Sequence, residues 1–305
     1  IKLNPQINEN QIVSLYNQYL NKYLDELGQK KIHFKQSKIT QLLTELKELQ
    51  LHEVIDINTP GGSSTPPQTN HSLRFSGDLP ISGDYPLTGD STYVSTTFDP
   101  TAFGLYNGFT ISYLVKTLEI PVATHMFALG RRDETILGKQ RFEFGLQDAT
   151  NLYVGVGDTK KITTAHGMVV DTWYHWVITF AGGSNGALNV YRDGGEVLDT
   201  TTSWTDTAGS NPIYFGCRNS GGYDNGWTCG LDEIAIFNKV KSVSSLWDGL
   251  GTPIDQTYED GLVGYWKLNE GSGTTTKDTS GNDNHGTLTT NDSGLPTWST
   301  DVPSK

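Results

Sequence analysis

The chain has 305 residues and a formal net charge of −12 at pH 7, with 34 Asp and Glu against 22 Lys and Arg. A surface that acidic repels phosphate backbones and anionic bilayers, so neither nucleic acid nor a charged membrane is the expected partner. No apolar run reaches the roughly 18 residues that a helical membrane span needs, and the length suits one large β domain with an appendage.

The chain opens at Ile1 without a Met or a signal-peptide pattern, and so reads as a processed product or a portion of something longer. Residues 8–56 then differ in kind from the rest. Ile12, Leu15, Tyr19, Tyr23 and Leu27 follow helical spacing, with Asn8 as the cap, Gln11 reaching back to it and Gly28 ending the helix. A second helix is expected from Ser37, with Ile39, Leu42, Leu46 and Leu49 on its apolar stripe. Two short amphipathic helices are marginal alone in water. They form either a hairpin within the chain or a contact with other chains, and the segment 1–57 is expected to serve attachment or oligomerisation. Pro, Gly, Ser and Thr make residues 58–71 a linker.

From residue 72 the pattern changes to short apolar-polar alternations separated by Gly, Asn and Asp. Strands are expected over 110–118, 141–146, 151–156, 173–181, 187–192, 212–217 and 229–237, with no helices between them. Asp193-Gly194-Gly195 is a hairpin turn signal. On the strand 229–237, Leu231, Glu233, Ala235 and Phe237 would face one side and Asp232, Ile234 and Ile236 the other. The only two cysteines, Cys217 and Cys229, flank a Gly-rich segment. Their spacing leaves a cross-strand disulfide and a pair of buried free thiols equally open.

Five segments in this order carry a resemblance: Ser72-Leu73-Arg74-Phe75-Ser76-Gly77, Phe109 to Lys116, Trp173 to Phe180, Leu188 to Gly194, and Gly230 to Lys239. Residues 70–245 resemble the laminin-G-like jelly rolls of the concanavalin A-like lectin/glucanase superfamily. The resemblance implies a mainly β fold, a two-sheet antiparallel jelly-roll sandwich over 72–305, here with a short α-helical N-terminal appendage. It also implies that Trp173 and Trp176 are core or sheet-face residues rather than sugar platforms. The C-terminal stretch Asp260 to Leu288 is similar to the usual opening of such a domain, yet here it comes last. Residues 261–290 are therefore expected to complete the sandwich from the permuted end of the chain, or to pair with a neighbour.

Relatives that hydrolyse β-glucans carry alternating carboxylates on one strand face. This chain has no such strand. Glu143 stands alone, and Asp232 and Glu233 are adjacent, so they would point apart. No pair among the seven histidines has metal-ligand spacing, and His175 between Tyr174 and Trp176 reads as a packed strand residue. The chain is accordingly expected not to be an enzyme.

Calcium is the expected cofactor, because the resemblance implies an ion between the Phe-x-Gly turn and the acid of the Asp-Glu strand. Asp232 would supply a carboxylate, Ser76 and Gly77 carbonyls, and Asp78 a side chain. Ser76 stands where relatives often have Asp or Asn, and a cap or an ion pair of Asp232 with Arg74 is the alternative. Asp278, Asn282, Asp283 and Asn284 make a second acidic loop that also reads as a plain turn.

In the Gly-rich loop, Tyr223 and Trp227 would stack on sugar rings, while Arg218, Asn219, Asp224 and Asn225 would bind hydroxyls. The expected function is a non-catalytic extracellular or virion-surface module that recognises a glycan or a surface protein. It would be anchored, as a homo-oligomer or in a larger assembly, through residues 8–56. A structural or decoration subunit of a particle, fibre or surface layer is the first alternative, and a polysaccharide hydrolase the second.

Overall fold

A computed structural model of the chain describes residues 70–77, 91–120, 125–133, 141–157, 159–162, 165–205, 211–220, 223–246, 259–290 and 294–303. The chain divides into two compact units, 1–67 and 68–305, and every described residue lies in the second. The helices expected over 8–56, and the linker as far as residue 69, lie outside the described residues.

The strands, in chain order, are β1 (Ser72–Phe75), β2 (Thr92–Ser95), β3 (Phe109–Thr117), β4 (Met126–Arg132), β5 (Arg141–Leu146) and β6 (Leu152–Gly157). Next come β7 (Thr159–Ile162), β8 (Trp173–Phe180), β9 (Gly183–Arg192), β10 (Gly195–Trp204), β11 (Tyr214–Phe215) and β12 (Arg218–Asn219). The last are β13 (Tyr223–Asp224), β14 (Cys229–Phe237), β15 (Leu262–Trp266), β16 (Thr275–Thr276), β17 (Gly286–Thr290) and β18 (Thr297–Ser299).

One sheet runs β10-β9-β8-β3-β14-β1-β18, with β15 also on β14; the other runs β16-β17-β2-β11-β4-β5-β6-β7, with β12 and β13 appended beside β4. Neighbouring strands are antiparallel except for β12, which meets β4 in parallel. The β9–β10 hairpin turns on Asp193 and Gly194, both at positive φ (49° and 80°), as the Asp-Gly pair requires.

The two sheets bury alternate residues against each other. From β3 come Phe109, Ile111, Tyr113 and Val115; from β5 and β6 come Phe142, Phe144, Val154 and Val156. Trp176, Trp204, Trp227 and Trp266 are all buried among them. The Phe109 and Phe142 rings meet edge-on at 5.1 Å, bridging the sheets.

Strict alternation fails at one place on β14. The pairing with β3 slips between Asp232 and Ala235, and Glu233 takes a φ of 50°. This bulge keeps Leu231, Ile234 and Ile236 together in the core and turns Ala235 and Phe237 outward. The expectation that Asp232 shares a face with Ile234 and Ile236 is thereby corrected, because the extra residue resets the pleat.

The C-terminal strands enter both sheets: β15 pairs with β14, β17 with β2, and β18 with β1. Asp278 organises this segment. One carboxylate oxygen accepts from the backbone N–H groups of Tyr265 and Ser280, each at 2.9 Å, and the other from that of Asn284 at 3.0 Å. Within the second acidic loop, both carboxylate oxygens of Asp278 are thus spent on the chain's own backbone. Asp278→Ala would strand these donors in a largely buried setting, at a cost of about 1–3 kcal/mol for a buried one. We expect urea denaturation to show a loss of about 3 kcal/mol for the variant; a loss below about 1 kcal/mol would contradict this account.

Candidate functional site

The outer face of the second sheet carries a polar and aromatic cluster built by alternation. Phe142 and Phe144 point inward from β5, so Arg141 and Glu143 point out. Tyr153 points out from β6, between Leu152 and Val154. The Glu143 carboxylate is fully buried and accepts from Arg132 Nε at 2.7 Å, Arg218 Nη1 at 3.2 Å and the Tyr153 hydroxyl at 2.8 Å. Arg141 Nε stands 3.8 Å away. Arg132 also donates to the Tyr153 oxygen, at 3.3 Å. Burial, then the Glu143 charge, push the Tyr153 hydroxyl up to about 12, so it stays a donor at neutral pH.

Aromatic rings floor the cluster. The Arg218 guanidinium lies 5.0 Å over the Phe127 ring, and Tyr153 meets Phe127 edge-on at 5.0 Å. The half-exposed His125 ring lies nearly parallel to Phe127 and edge-on to Tyr153. Space for the ion group comes from a missing side chain: a Cβ on Gly155 would stand 2.8 Å from a Glu143 carboxylate oxygen and 3.1 Å from the Arg141 stem.

Three guanidinium groups therefore gather on one carboxylate. Depth sorts the charges as well. Glu143 is sealed (0% exposed), whereas the Arg132 and Arg141 side chains each keep 15% of their surface in solvent.

The loop 218–227 supplies part of this site. Arg218 reaches Glu143 and, at 3.4 Å, Asn225, whose own amide donates to the His125 carbonyl at 3.0 Å. Two of the residues expected to touch glycan do other work. Asn219 is buried and donates to the Pro212 carbonyl. Trp227 is no sugar platform, being 1% exposed with its indole N–H on the Thr117 hydroxyl and the Glu119 carbonyl. Tyr223 and Asp224 pair with Asn219 and Arg218 through the backbone, and their side chains lie outside the described residues. His125, Arg132, Arg141 and Tyr153 escaped the sequence reading. Only the Arg141-Phe142-Glu143-Phe144 alternation hinted at them.

The residues named for calcium are not brought together. Leu231 pairs with Leu73 and Cys229 with Phe75, so Asp232 stands level with Ser72. Ser76 and Gly77 lie beyond the far end of that pairing, beside Thr228, whose hydroxyl accepts from the Gly77 N–H and donates to its carbonyl. The four residues from Thr228 to Asp232 span about 13 Å of strand. Asp232 accepts from the Glu233 N–H, and the Ser76 carbonyl accepts from Thr92. Ser76, Gly77 and Asp232 thus do not fit one ion, and Asp78 lies outside the described residues. Among the described residues, no three His, Cys, Asp or Glu side chains cluster as metal ligands. Cys217 and Cys229 are free, buried thiols, and burial pushes the Cys229 thiol up.

A Ser-His pair lies on the outer side of the first sheet, where Ser112 Oγ and His175 Nε2 are 2.7 Å apart. Both residues are buried, so the pair has no access to a substrate. Desolvation pushes His175 down to about 4 from an ordinary 6.5. The unfolded chain then binds this proton more readily, so stability is full above pH 6.5 and falls as pH drops through 4. Over that window the loss amounts to about 3 kcal/mol. We expect His175→Gln to flatten this part of the stability–pH curve; an unchanged curve would contradict the assignment. A separate pocket of about 530 Å³ is lined by Lys267, Asn269, Glu270, Thr274 and Thr275 among others.

The fold and site define a two-sheet lectin-type jelly roll with a charged outer face. The family model of the concanavalin A-like lectin/glucanases superfamily matches residues 88–246, more than half of the chain, and the chain belongs to that superfamily. None of the curated proteins matches. Among solved structures, a candidate carbohydrate-binding protein from Bacteroides ovatus ATCC 8483 superposes with a TM-score of 0.52 at 18% identity. The match covers 78% of this chain and 62% of that one, so the chain spans less than two thirds of its length. The heptameric SAP-like pentraxin of Limulus polyphemus superposes with a TM-score of 0.41 at 15% identity, over 65% of this chain and 92% of that one.

Proposed function

We propose that the chain is a carbohydrate-binding module that works without catalysis. The binding face is the outer surface of β4, β5 and β6, with His125, Arg132 and Arg141 at the solvent edge. The observation that carries this reading is the combination of ring faces and forked donors around a sealed carboxylate. Sugars are held by stacking of their apolar faces on rings and by charge-assisted hydrogen bonds to their oxygens. The hydrolase reading is not favoured. Glu143 is engaged by guanidinium groups and cut off from solvent, and Glu233 accepts from the Tyr265 hydroxyl rather than standing across a cleft from a second acid.

The module acts outside the cell or on a surface, and the apolar repeats within 8–56 attach it there. Among the described residues, no helix is long and apolar enough to cross a membrane. Affinity electrophoresis of the full chain in gels containing single polysaccharides tests the reading. Retardation by at least one polysaccharide, without release of reducing ends, is expected. Unretarded migration in all of them would overturn it.

A further inference from the structure

We infer that the pocket lined by residues within 267–279 is a second binding site, and that it takes a neutral sugar unit. The inference rests on the carbohydrate-binding reading above and adds to it a site remote from the outer face of β4, β5 and β6.

The pocket lies where the chain crosses from one sheet to the other, between β15 and β16. β16 is the edge strand of its sheet and β18 that of the other. The two edges meet here, because the Trp298 indole N–H of β18 donates to the Gly273 carbonyl at 3.0 Å. Five strand spacings separate β16 from β5, about 24 Å across the sheet. The volume of about 530 Å³ falls among those of small-molecule sites. The wall is fixed before a ligand arrives. The Leu288 N–H donates to the Thr274 carbonyl at 2.8 Å. Glu270 Oε1 accepts from the Lys277 N–H at 2.7 Å and from the Thr276 hydroxyl at 3.3 Å. Gly271, at a φ of 70°, lies against the His71 ring, where a Cβ would come within 2.6 Å. A wall held in place in this way lowers the ordering cost of binding.

The chemistry of the wall selects the ligand. Glu270 Oε1 takes both of those bonds, whereas Oε2, sheltered from solvent, has no hydrogen-bond partner among the described residues. A carboxylate oxygen so placed gains from a donor and repels a second anion. Asn269, Ser272 and Thr275 bring an amide and two hydroxyls to the same pocket, groups that both donate and accept. Sugar hydroxyls have the same double capacity, so each can give one bond and receive another. An apolar ligand would strip water from these groups without replacing its bonds. A uronate or a sulfated sugar would set its charge against Glu270. Half-buried Trp298, bonded to the pocket residue Gly273, supplies a ring beside the wall for the apolar face of a pyranose.

The Trp298 indole N–H is a reporter built into the wall, and nuclear magnetic resonance of the full chain labelled with nitrogen-15 reads it. Its signal is assigned by its loss in Trp298→Phe. The neutral probes are cellotriose, mannotriose and galactotriose, and trigalacturonate is the acidic comparison. We expect a saturable shift of this signal with at least one neutral probe, and a response to trigalacturonate weaker by at least about tenfold. Glu270→Gln, which keeps the shape of the side chain and one acceptor oxygen, should weaken neutral binding by about tenfold or more, the size of one lost charge-assisted bond. Thr275→Tyr, at an exposed position of β16, fills the pocket and should abolish the shift. Thr201→Ala, exposed on β10 at the opposite edge of the first sheet, should leave it unchanged. Dispersed amide spectra show that each variant stays folded. A Trp298 signal unmoved by all three neutral probes would overturn the inference. If a polysaccharide still retards the chain in gels, that result would leave the outer-face reading standing, and failure in both experiments would overturn the two together. Equal responses to neutral and acidic probes would overturn the ligand class. A saturable shift that survives both Glu270→Gln and Thr275→Tyr would overturn the assigned site.

Discussion

Glu143→Ala is expected to cost about 3–5 kcal/mol, because it breaks a buried ion group by removing one partner. The carboxylate is fully buried and holds Arg132 and Arg218 at hydrogen-bond distance, with Arg141 just beyond. Without it, three guanidinium groups crowd one sheet face and lose the carboxylate that they share. The Tyr153 hydroxyl also loses its acceptor. Since domains are typically stable by only about 5–15 kcal/mol, such a loss reaches a large part of the whole. Glu143→Gln keeps the shape and an acceptor oxygen while removing the charge, and should fall between wild type and Ala. Urea denaturation of the three proteins checks this ordering. A Glu143→Ala protein within about 1 kcal/mol of wild type would show that the cluster contributes little to stability.

Deleting everything from Glu259 onward is expected to abolish soluble, folded protein. The deletion strips β15 from β14, β17 from β2 and β18 from β1, so both sheets lose strands at once. It also removes Trp266, which meets Phe215 edge-on at 5.0 Å and Phe98 at 5.7 Å and donates to the Asn284 carbonyl. Truncating one such Trp to Ala costs about 3–5 kcal/mol. The bared β14, β2 and β1 would present unpaired backbone groups that template association between chains. Expression of residues 1–258 should therefore yield aggregate. A soluble truncation product with a cooperative melt would show that the sandwich folds without its C-terminal strands.

The fold was legible where apolar and polar residues alternate. Arg141 to Leu146 and Trp173 to Phe180 carry the period of two that a half-buried strand imposes, and both are strands of the structure. Among the strands that the alternation did not reveal, two were hidden for opposite reasons. Gly195–Trp204 lies at the edge of its sheet and is mostly polar, with a Thr run and few inward residues. Met126–Arg132 is buried almost throughout and contains an irregularity near Ala128, so it shows no alternation. The bulge at Glu233 was hidden because a slip of one residue leaves no mark in the order of residue types.

The site was legible only in fragments. Arg218 and Asn225 stood out by composition, and Glu143 stood out as a lone acid. What joined them to Arg132 and Tyr153 is the register of β4 on β5 and of β5 on β6, which brings Glu143 opposite Gly130 and Gly155. Register depends on partners distant along the chain and is not written in any one segment. Trp227 misled for a related reason. A Trp between Gly226 and Thr228 looks exposed, yet its large apolar surface favours the interior, and the loop folds to let it in.

The pairing of β18 with β1 has a topological consequence. Ser72 stands opposite Ser299, and its hydroxyl donates to the Asp301 carbonyl at 2.6 Å, so the two ends of the described sandwich leave from one edge as neighbours. A body whose entry and exit points touch is nearly a closed loop, and the place where a closed loop is cut is a matter of history more than of energetics. Such a body inserts into a surface turn of a host protein without prying the host apart. The same closure explains how a segment that resembles the opening of the fold can stand at its end and still reach its place in the sheet.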